Sequence, residues 1–238
     1  MKKVNQKPLL HYLIKQLHGS KKISNVIIAT TYSKEDDVIV KFAEENNLGV
    51  FRGDEIDVLN RYYNCAKKFQ IENIVRITSD NPLIDPRVID QCITKFEDGE
   101  FDFVSNCIKP INDDWIHDLN GFPSGTTCEI LTFDVLEKIE SAAEKKSDRE
   151  HVTSYMINNS DNFKISNIYN DSNYSDFRFT LDYEQDFEVV KKILEFYNDR
   201  EIIFFEEIIS FLRDNNEIKE INSKYSFNEG YERSIKDD

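Results

Sequence analysis

The chain has 238 residues, 39% of them hydrophobic, with a formal net charge of −15 and a pI near 4.8. This length fits one large domain, or one domain with a small addition, able to bury a proper core. The acidic balance argues against nucleic acid or an anionic membrane surface as a partner, so phosphate handling here needs divalent cations or a local arginine cluster.

The four cysteines, Cys65, Cys92, Cys107 and Cys128, include no C-x-x-C pair. Reduced thiols are expected rather than a zinc site or a disulfide framework. No apolar run approaches the ~20 residues of a membrane span. The N-terminus lacks an apolar signal core, and a cytoplasmic location is expected.

Residues 8–17 carry Leu9, Leu10, Leu13, Ile14 and Leu17 at helical spacing, which predicts a helix packed on a sheet. Residues 26–29 form a short apolar strand that runs into Thr30 and Thr31. Ser33 is placed to cap a second helix, with Glu35, Asp36 and Asp37 in its first turn and Val38, Ile39, Phe42 and Ala43 on its apolar face. Residues 50–53 read as a brief strand and turn, 56–69 as an amphipathic helix and 74–78 as a buried strand. A helix over 86–96 follows, capped by Asp85 with Pro86 at its first position. This alternation predicts an α/β fold with a mainly parallel sheet and helices on both faces.

Further strands are expected over 101–105, 128–133, 163–169 and 177–181, and helices over 134–143, 148–158, 184–197 and 205–212. Residues 107–127, with Trp115, Gly121, Pro123 and Gly125, read as a polar loop of the kind that forms lids or binding loops. The expected division is one domain over 1–215 and a polar tail over 216–238 that drapes over the surface.

The most informative stretch is Arg76-Ile77-Thr78-Ser79-Asp80-Asn81-Pro82-Leu83-Ile84-Asp85-Pro86. An apolar strand ends there in a carboxylate, where open α/β sheets bind ligands. A cap role for Asp80 is the competing reading, but Asp85 fills that role more naturally. Residues Phe177 to Asp182 repeat the pattern, and Asp182 either serves chemistry or caps the next helix. Two aspartates at neighbouring strand ends can share one Mg²⁺ and leave room for phosphate oxygens.

In Ser147-Asp148-Arg149-Glu150-His151-Val152-Thr153, a continuous helix would put Arg149 and Thr153 on one face. Such donors suit an anionic sugar or phosphate, although a solvated helix start is the plainer reading on spacing alone. Arg52-Gly53-Asp54 is either an anion-binding turn or a surface turn. G-x-x-x-x-G-K-[ST], G-x-G-x-x-G and G-x-S-x-G are all absent, which disfavours P-loop kinases, dinucleotide dehydrogenases and esterases. A convincing D-x-D is also lacking, which disfavours a glycosyltransferase.

Several ordered segments resemble the SpsF-like spore coat polysaccharide cytidylyltransferases, relatives of the enzymes that activate acylneuraminate and 3-deoxy-manno-octulosonate with CMP. They are Gln6-Lys7-Pro8-Leu9-Leu10, Ile28-Ala29-Thr30-Thr31 with Asp36-Asp37, and Val50-Phe51-Arg52-Gly53 with Asp57-Val58-Leu59 and Arg61-Tyr62. The 76–86 stretch, Val104-Ser105-Asn106, Arg149-Glu150-His151-Val152-Thr153, Thr180-Leu181-Asp182-Tyr183 and Asn228-Glu229-Gly230-Tyr231 complete the match.

The resemblance implies a GT-A-like nucleotide-diphospho-sugar transferase domain over 1–215. It implies CTP and an anionic sugar acceptor as partners, Mg²⁺ as cofactor and pyrophosphate as product. Asp80 and Asp182 match the metal-binding, catalytic aspartates. Thr30, Arg52 and Asp57 fall on the nucleotide side. Arg76, Ser105, Asn106, Glu129, Arg149 and His151 fall around the acceptor. Family members often dimerise, so a homodimer is a further expectation. The family opens with a strand and a Q-A-R-x-x-S-x-R-x-P-x-K loop upstream of the match at Gln6, so the sheet is expected to lack its first, central strand and the triphosphate cradle. A non-catalytic relic is the alternative that this departure suggests.

Overall fold

The structure is a computed structural model that describes all residues apart from 113, 199, 235, 237 and 238. A short hairpin opens the chain. β1 (Lys3–Val4) pairs antiparallel with β2 (Lys7–Pro8) across Asn5 and Gln6, both at positive φ as a primed two-residue turn requires. α1 (Leu9–Leu17), β3 (Ile27–Thr31), α2 (Asp37–Glu45), β4 (Gly49–Gly53), α3 (Val58–Phe69), β5 (Asn73–Arg76) and α4 (Pro86–Glu97) follow in the predicted alternation. Ser33 caps a single 3₁₀ turn, Lys34–Asp36, before α2. Asp85 caps α4 ahead of Pro86, and its buried carboxylate also accepts from the Phe205 N–H at 3.0 Å.

β6 (Phe103–Ser105) leads into a hairpin, β7 (Ile108–Ile111) and β8 (Asp114–His117), where a loop was expected. β9 (Glu129–Thr132) and α5 (Phe133–Ala142) match their predicted ranges closely. The helix expected over 148–158 is broken into α6 (Lys146–His151) and α7 (Ser154–Asn158). Val152 sits between them at φ 66, ψ −56, and the Thr153 N–H reaches the His151 carbonyl at 2.7 Å, which is a strained γ-turn.

β10 (Ile165–Asn167) follows, then α8 (Glu184–Phe196) and α9 (Phe205–Asp214). The strand expected over 177–181 reduces to one bridge, Arg178 to Ser124, because the 124 loop supplies a single residue of ladder. The tail contains α10 (Asn216–Lys219) and α11 (Glu229–Ser234), and it packs against the domain.

The main sheet has the order β10-β6-β9-β5. β5, β6 and β10 run one way, and β9 runs antiparallel to both of its neighbours, so the sheet is mixed with a single reversed strand. Pleat alternation divides its side chains between two cores. Ile74, Phe103 and Leu131 face α3, α5 and α7, whereas Val104 and Ile130 face α1 and α4. Helices therefore cover both faces, as predicted. A third cluster joins α8 and α9 to Phe177 and Phe179.

β3 and β4 form a separate parallel pair. Among the described residues, β3 pairs only with β4 and β5 only with β9, yet Ile28 of β3 and Val75 of β5 rest on the same apolar cluster. All four cysteines are free and buried. No helix among the described residues is long and apolar enough to cross a membrane.

Candidate active site

The strand register builds the site. Ile165, Phe103, Leu131 and Ile74 form one apolar rung across the main sheet. Two residues further along, the same face carries Asn167, Ser105, Glu129 and Arg76 as a polar rung. It lies at the carboxyl ends of β5, β6 and β10, the end where open sheets bind ligands.

Arg76 and Glu129 form a buried ion pair. Glu129 is 3% exposed and also accepts from Thr153 Oγ1 at 2.7 Å. Burial alone would lower the Arg76 pKa, but the Glu129 carboxylate outweighs it and the net shift is upward, so the guanidinium stays charged. Ser105 spends its hydroxyl on the Cys128 carbonyl at 2.9 Å. Asn106 clamps Thr126 O and Cys128 N, at 2.9 and 2.8 Å. These two residues shape the site through backbone rather than by pointing donors into it.

Asp80 lies four residues past Arg76. Its carboxylate accepts from Thr78 Oγ1, and the Thr180 hydroxyl donates to its backbone carbonyl at 3.3 Å. Burial raises its pKa, and the nearby charge of Asp182 adds to the rise, while Thr78 and Arg76 oppose it. The Thr180 contact brings the segment that ends in Asp182 alongside Asp80. Asp182 does not cap α8, since Asp186 takes the Tyr183 N–H at 2.9 Å.

Instead Asp182 accepts from Arg178 at 2.5 Å, and Arg178 forks onto buried Asp186 with both contacts at 2.9 Å. Gly125, at φ +112, lets the neighbouring loop approach Phe179 and Thr180, where a Cβ would fall 2.9 Å from the Thr180 nitrogen. Two carboxylates on segments joined by the Thr180–Asp80 contact, with Asp182 half exposed, fit a Mg²⁺ ion that takes few protein ligands and completes its shell with phosphate and water. Among the described residues no group of three His, Cys, Asp or Glu could hold a metal.

The remaining predicted residues fall into separate groups. Thr30 donates to Asp36 at 2.7 Å, and Arg52 donates to Thr31 O, Ser33 O and Asp37 at 2.7, 2.6 and 2.7 Å. Their polar groups hold the turn after β3. Asp57 caps α3 and takes Arg149 on both oxygens, at 3.0 and 2.6 Å, and Arg149 also reaches Glu140. The break at Val152 removes the shared helical face of Arg149 and Thr153, so Arg149 joins Asp57 while Thr153 joins Glu129.

His151 lies against Tyr231, with ring centroids 5.2 Å apart, and Tyr231 also meets His117 at 4.6 Å. His117, Asn167, Arg178 and Tyr231 were not assigned roles from the sequence. Arg178 and Tyr231 stood inside recognised segments, but Asn167 and His117 became visible only through register and the β7–β8 hairpin.

Comparison with known proteins shows what the chain is similar to. The chain is 35% identical over 224 residues to an uncharacterized protein of Methanocaldococcus jannaschii, covering 93% of this chain and 86% of the relative. It is 26% identical over 211 residues to the spore coat polysaccharide biosynthesis protein SpsF of Bacillus subtilis, covering 87% and 82%. Among solved structures, a cytidylyltransferase from Leptospira borgpetersenii superposes with TM-score 0.82 at 28% identity, covering 94% of this chain and 90% of the other. CMP:2-keto-3-deoxy-manno-octonic acid synthetase, solved with CTP, shares the fold at TM-score 0.59 and 11% identity, covering 82% and 90%. The family described as cytidylyltransferase matches residues 1–222. With that match spanning nearly the whole chain, the chain belongs to the cytidylyltransferase family.

Proposed function

We propose that this chain transfers a cytidylyl group from CTP to a hydroxyl of an anionic sugar, for surface polysaccharide synthesis. The observation that carries the reading is the contact of the Thr180 hydroxyl with the Asp80 carbonyl, which brings the segments bearing Asp80 and Asp182 together just past the Arg76–Glu129 pair. The acceptor oxygen bonds to the α-phosphorus, and the bond from that phosphorus to the pyrophosphate oxygen breaks. Catalysis of this kind is mostly positioning and electrostatics.

Asp80 and Asp182 would hold Mg²⁺, which when bound neutralises charge on the triphosphate. Arg178 orients Asp182, and the Arg178–Asp186 fork fixes Arg178. Arg76 and Thr153 hold Glu129 on the acceptor side, with His151 beyond them. Thr30, Arg52 and Asp57 form the nucleotide side through the turns they fix, and Arg149 acts there through Asp57. Ser105 and Asn106 set the backbone on which Glu129 stands. The same reading puts the chain in the cytoplasm, alongside its nucleotide.

A second reading, a folded chain without turnover, is favoured by the unpaired ladder edges of β3 and β5. One experiment separates the two. The purified chain is given CTP, Mg²⁺ and either N-acetylneuraminate or 3-deoxy-manno-octulosonate, and pyrophosphate is measured beside calorimetric CTP binding. Sugar-dependent release is the expected result. CTP binding without release selects the second reading, and failure to bind CTP removes both.

A further inference from the structure

The C-terminal segment links the two ends of the site. Asn222 donates to Asp186 at 2.8 Å, and Ser226 O accepts from Arg178 at 3.4 Å, beside Asp182. Tyr225 stacks on Tyr183 with centroids 3.8 Å apart and donates to Gln185 at 2.9 Å. Glu229 accepts from Tyr183 at 2.5 Å. α11 then packs on α6, Ser234 donates to Glu150 at 2.5 Å, and Tyr231 meets both His117 and His151 edge-on. The segment is therefore tied at one end to the residues that hold Asp182 and at the other to the rings beside Glu129.

Among the buried polar atoms of this region that have no hydrogen-bond partner among the described residues are Arg76 Nε and His117 Nε2. Leaving such an atom unpaired is unfavourable, so each is placed to take a ligand's hydrogen bond. A run of contacts joins the two groups: His117 meets Tyr231, Tyr231 meets His151, and Thr153, two residues further on, bonds the Glu129 that pairs with Arg76. Burial holds the His117 pKa below its ordinary value, so at neutral pH the imidazole is uncharged. The Arg76 charge is already matched by Glu129. What remains is a guanidinium N–H, a neutral ring nitrogen and a tyrosine ring, with no unmatched positive charge. That chemistry suits hydroxyl groups on a carbon chain better than a carboxylate.

We propose that the C-terminal segment is a strap that completes the acceptor pocket, with Tyr231 and His117 as specificity-determining residues that hold the hydroxylated chain of a sugar acid against Arg76. The inference rests on the cytidylyltransferase reading and sharpens it. Tyr231 supplies an apolar edge for the ring or chain carbons, and His117 Nε2 and Arg76 Nε exchange hydrogen bonds with its hydroxyls. The γ-turn at Val152 lets adjoining residues serve both parts, with His151 facing Tyr231 and Thr153 bonded to Glu129.

The single tryptophan gives a readout that needs no turnover. Trp115 stands two residues from His117 on β8, on the same face of that strand. The full chain, loaded with CTP and Mg²⁺, is titrated with N-acetylneuraminate and with 3-deoxy-manno-octulosonate while Trp115 emission is followed. CTP binding is measured separately by calorimetry. At least one sugar should bind. Tyr231→Ala and His117→Phe should each weaken it tenfold or more, with CTP affinity changed less than twofold, and Tyr231→Phe should bind within threefold of the parent.

Should Tyr231→Ala fail to fold, His117→Phe carries the test, because it keeps an aromatic ring against Tyr231 and removes both ring nitrogens. Sugar binding unchanged in both variants overturns the strap, as does CTP affinity that falls by the same factor. CTP binding with no response to either sugar also overturns it, and leaves the cytidylyltransferase reading standing. Loss of CTP binding in the parent chain sinks that reading itself.

Discussion

Asp80 stands in the turn past β5, where burial chiefly, and the Asp182 charge in addition, disfavour its carboxylate against the opposing Thr78 hydroxyl. Its ionised form is therefore less welcome in the folded chain than in the unfolded one. Asp80→Asn should raise the melting temperature measured in a chelator, and should lower Mg²⁺-dependent turnover roughly a thousandfold, since metal stabilisation is worth several kcal/mol. A fall in melting temperature together with normal turnover would remove both the electrostatic and the metal argument. Glu129 is the opposite case. Its partner Arg76 is buried and stays charged, so Glu129→Ala leaves an uncompensated cation and should cost roughly 3–5 kcal/mol in denaturant unfolding. The exposed Lys2–Glu184 pair is the control, where truncation should cost no more than ~1 kcal/mol.

At the scale of elements, Gly125 sets how closely the 124 loop meets the segment that delivers Asp182. Gly125→Ala puts a Cβ 2.7 Å from a Phe179 ring carbon and 2.9 Å from backbone atoms, at a φ of +112 that L side chains avoid. It should cost on the order of 2 kcal/mol in unfolding and reduce turnover by displacing Asp182, as urea titration and steady-state rates would show. That loop also explains what the sequence concealed. Residues 177–181 alternate like a strand, but their backbone finds one partner at Ser124, so the pattern had no ladder to occupy. The helices and β9 were legible because caps and apolar spacing act locally, as Asp85 before Pro86 illustrates. The β7–β8 hairpin was not, since Pro110 and Asn112 mask its alternation. Nor was the break at Val152, which is imposed by tertiary contacts of His151 and Thr153. Residue spacing pointed to the Asp80 and Asp182 segments, which the Thr180–Asp80 contact brings together although no strand ends at Asp182, while the rung through Asn167 needed the register and the strap needed the packing of a tail that reads as polar.

For the whole molecule, acid should act in two stages. His117 and His11 both have pKa values held below 6.5, chiefly by burial, so the unfolded chain takes up their protons first and stability begins to fall as pH drops through about 6.5. The second stage belongs to carboxylates. Burial would raise the Asp186 pKa, but hydrogen bonds from Arg178, Asn222 and the Asp182 N–H outweigh it, and the group sits below the ordinary range. Asp36 is lowered likewise by Thr31 and Thr30. Their contribution is complete above the unfolded carboxylate value, near 4, and disappears as pH falls through the lower folded values. Asp80 works in the opposite sense, because protonating it removes the cost of burying its charge and, to a smaller extent, the repulsion from Asp182, and it partly offsets the loss when no divalent cation is present. Melting temperature followed from pH 8 to pH 3 in a chelator should therefore decline in two steps. His117→Phe should shrink the first step without abolishing it, since His11 remains. Asp186→Asn should be less stable by roughly 3–5 kcal/mol at pH 7, where it leaves buried Arg178 short of a partner, and the gap to the parent should narrow below pH 4 as the parent loses the same bonds. A gap that stays constant down to pH 3 would mean that the Arg178–Asp186–Asn222 network does not anchor the strap electrostatically, and would leave shape alone to hold the C-terminal segment over the site.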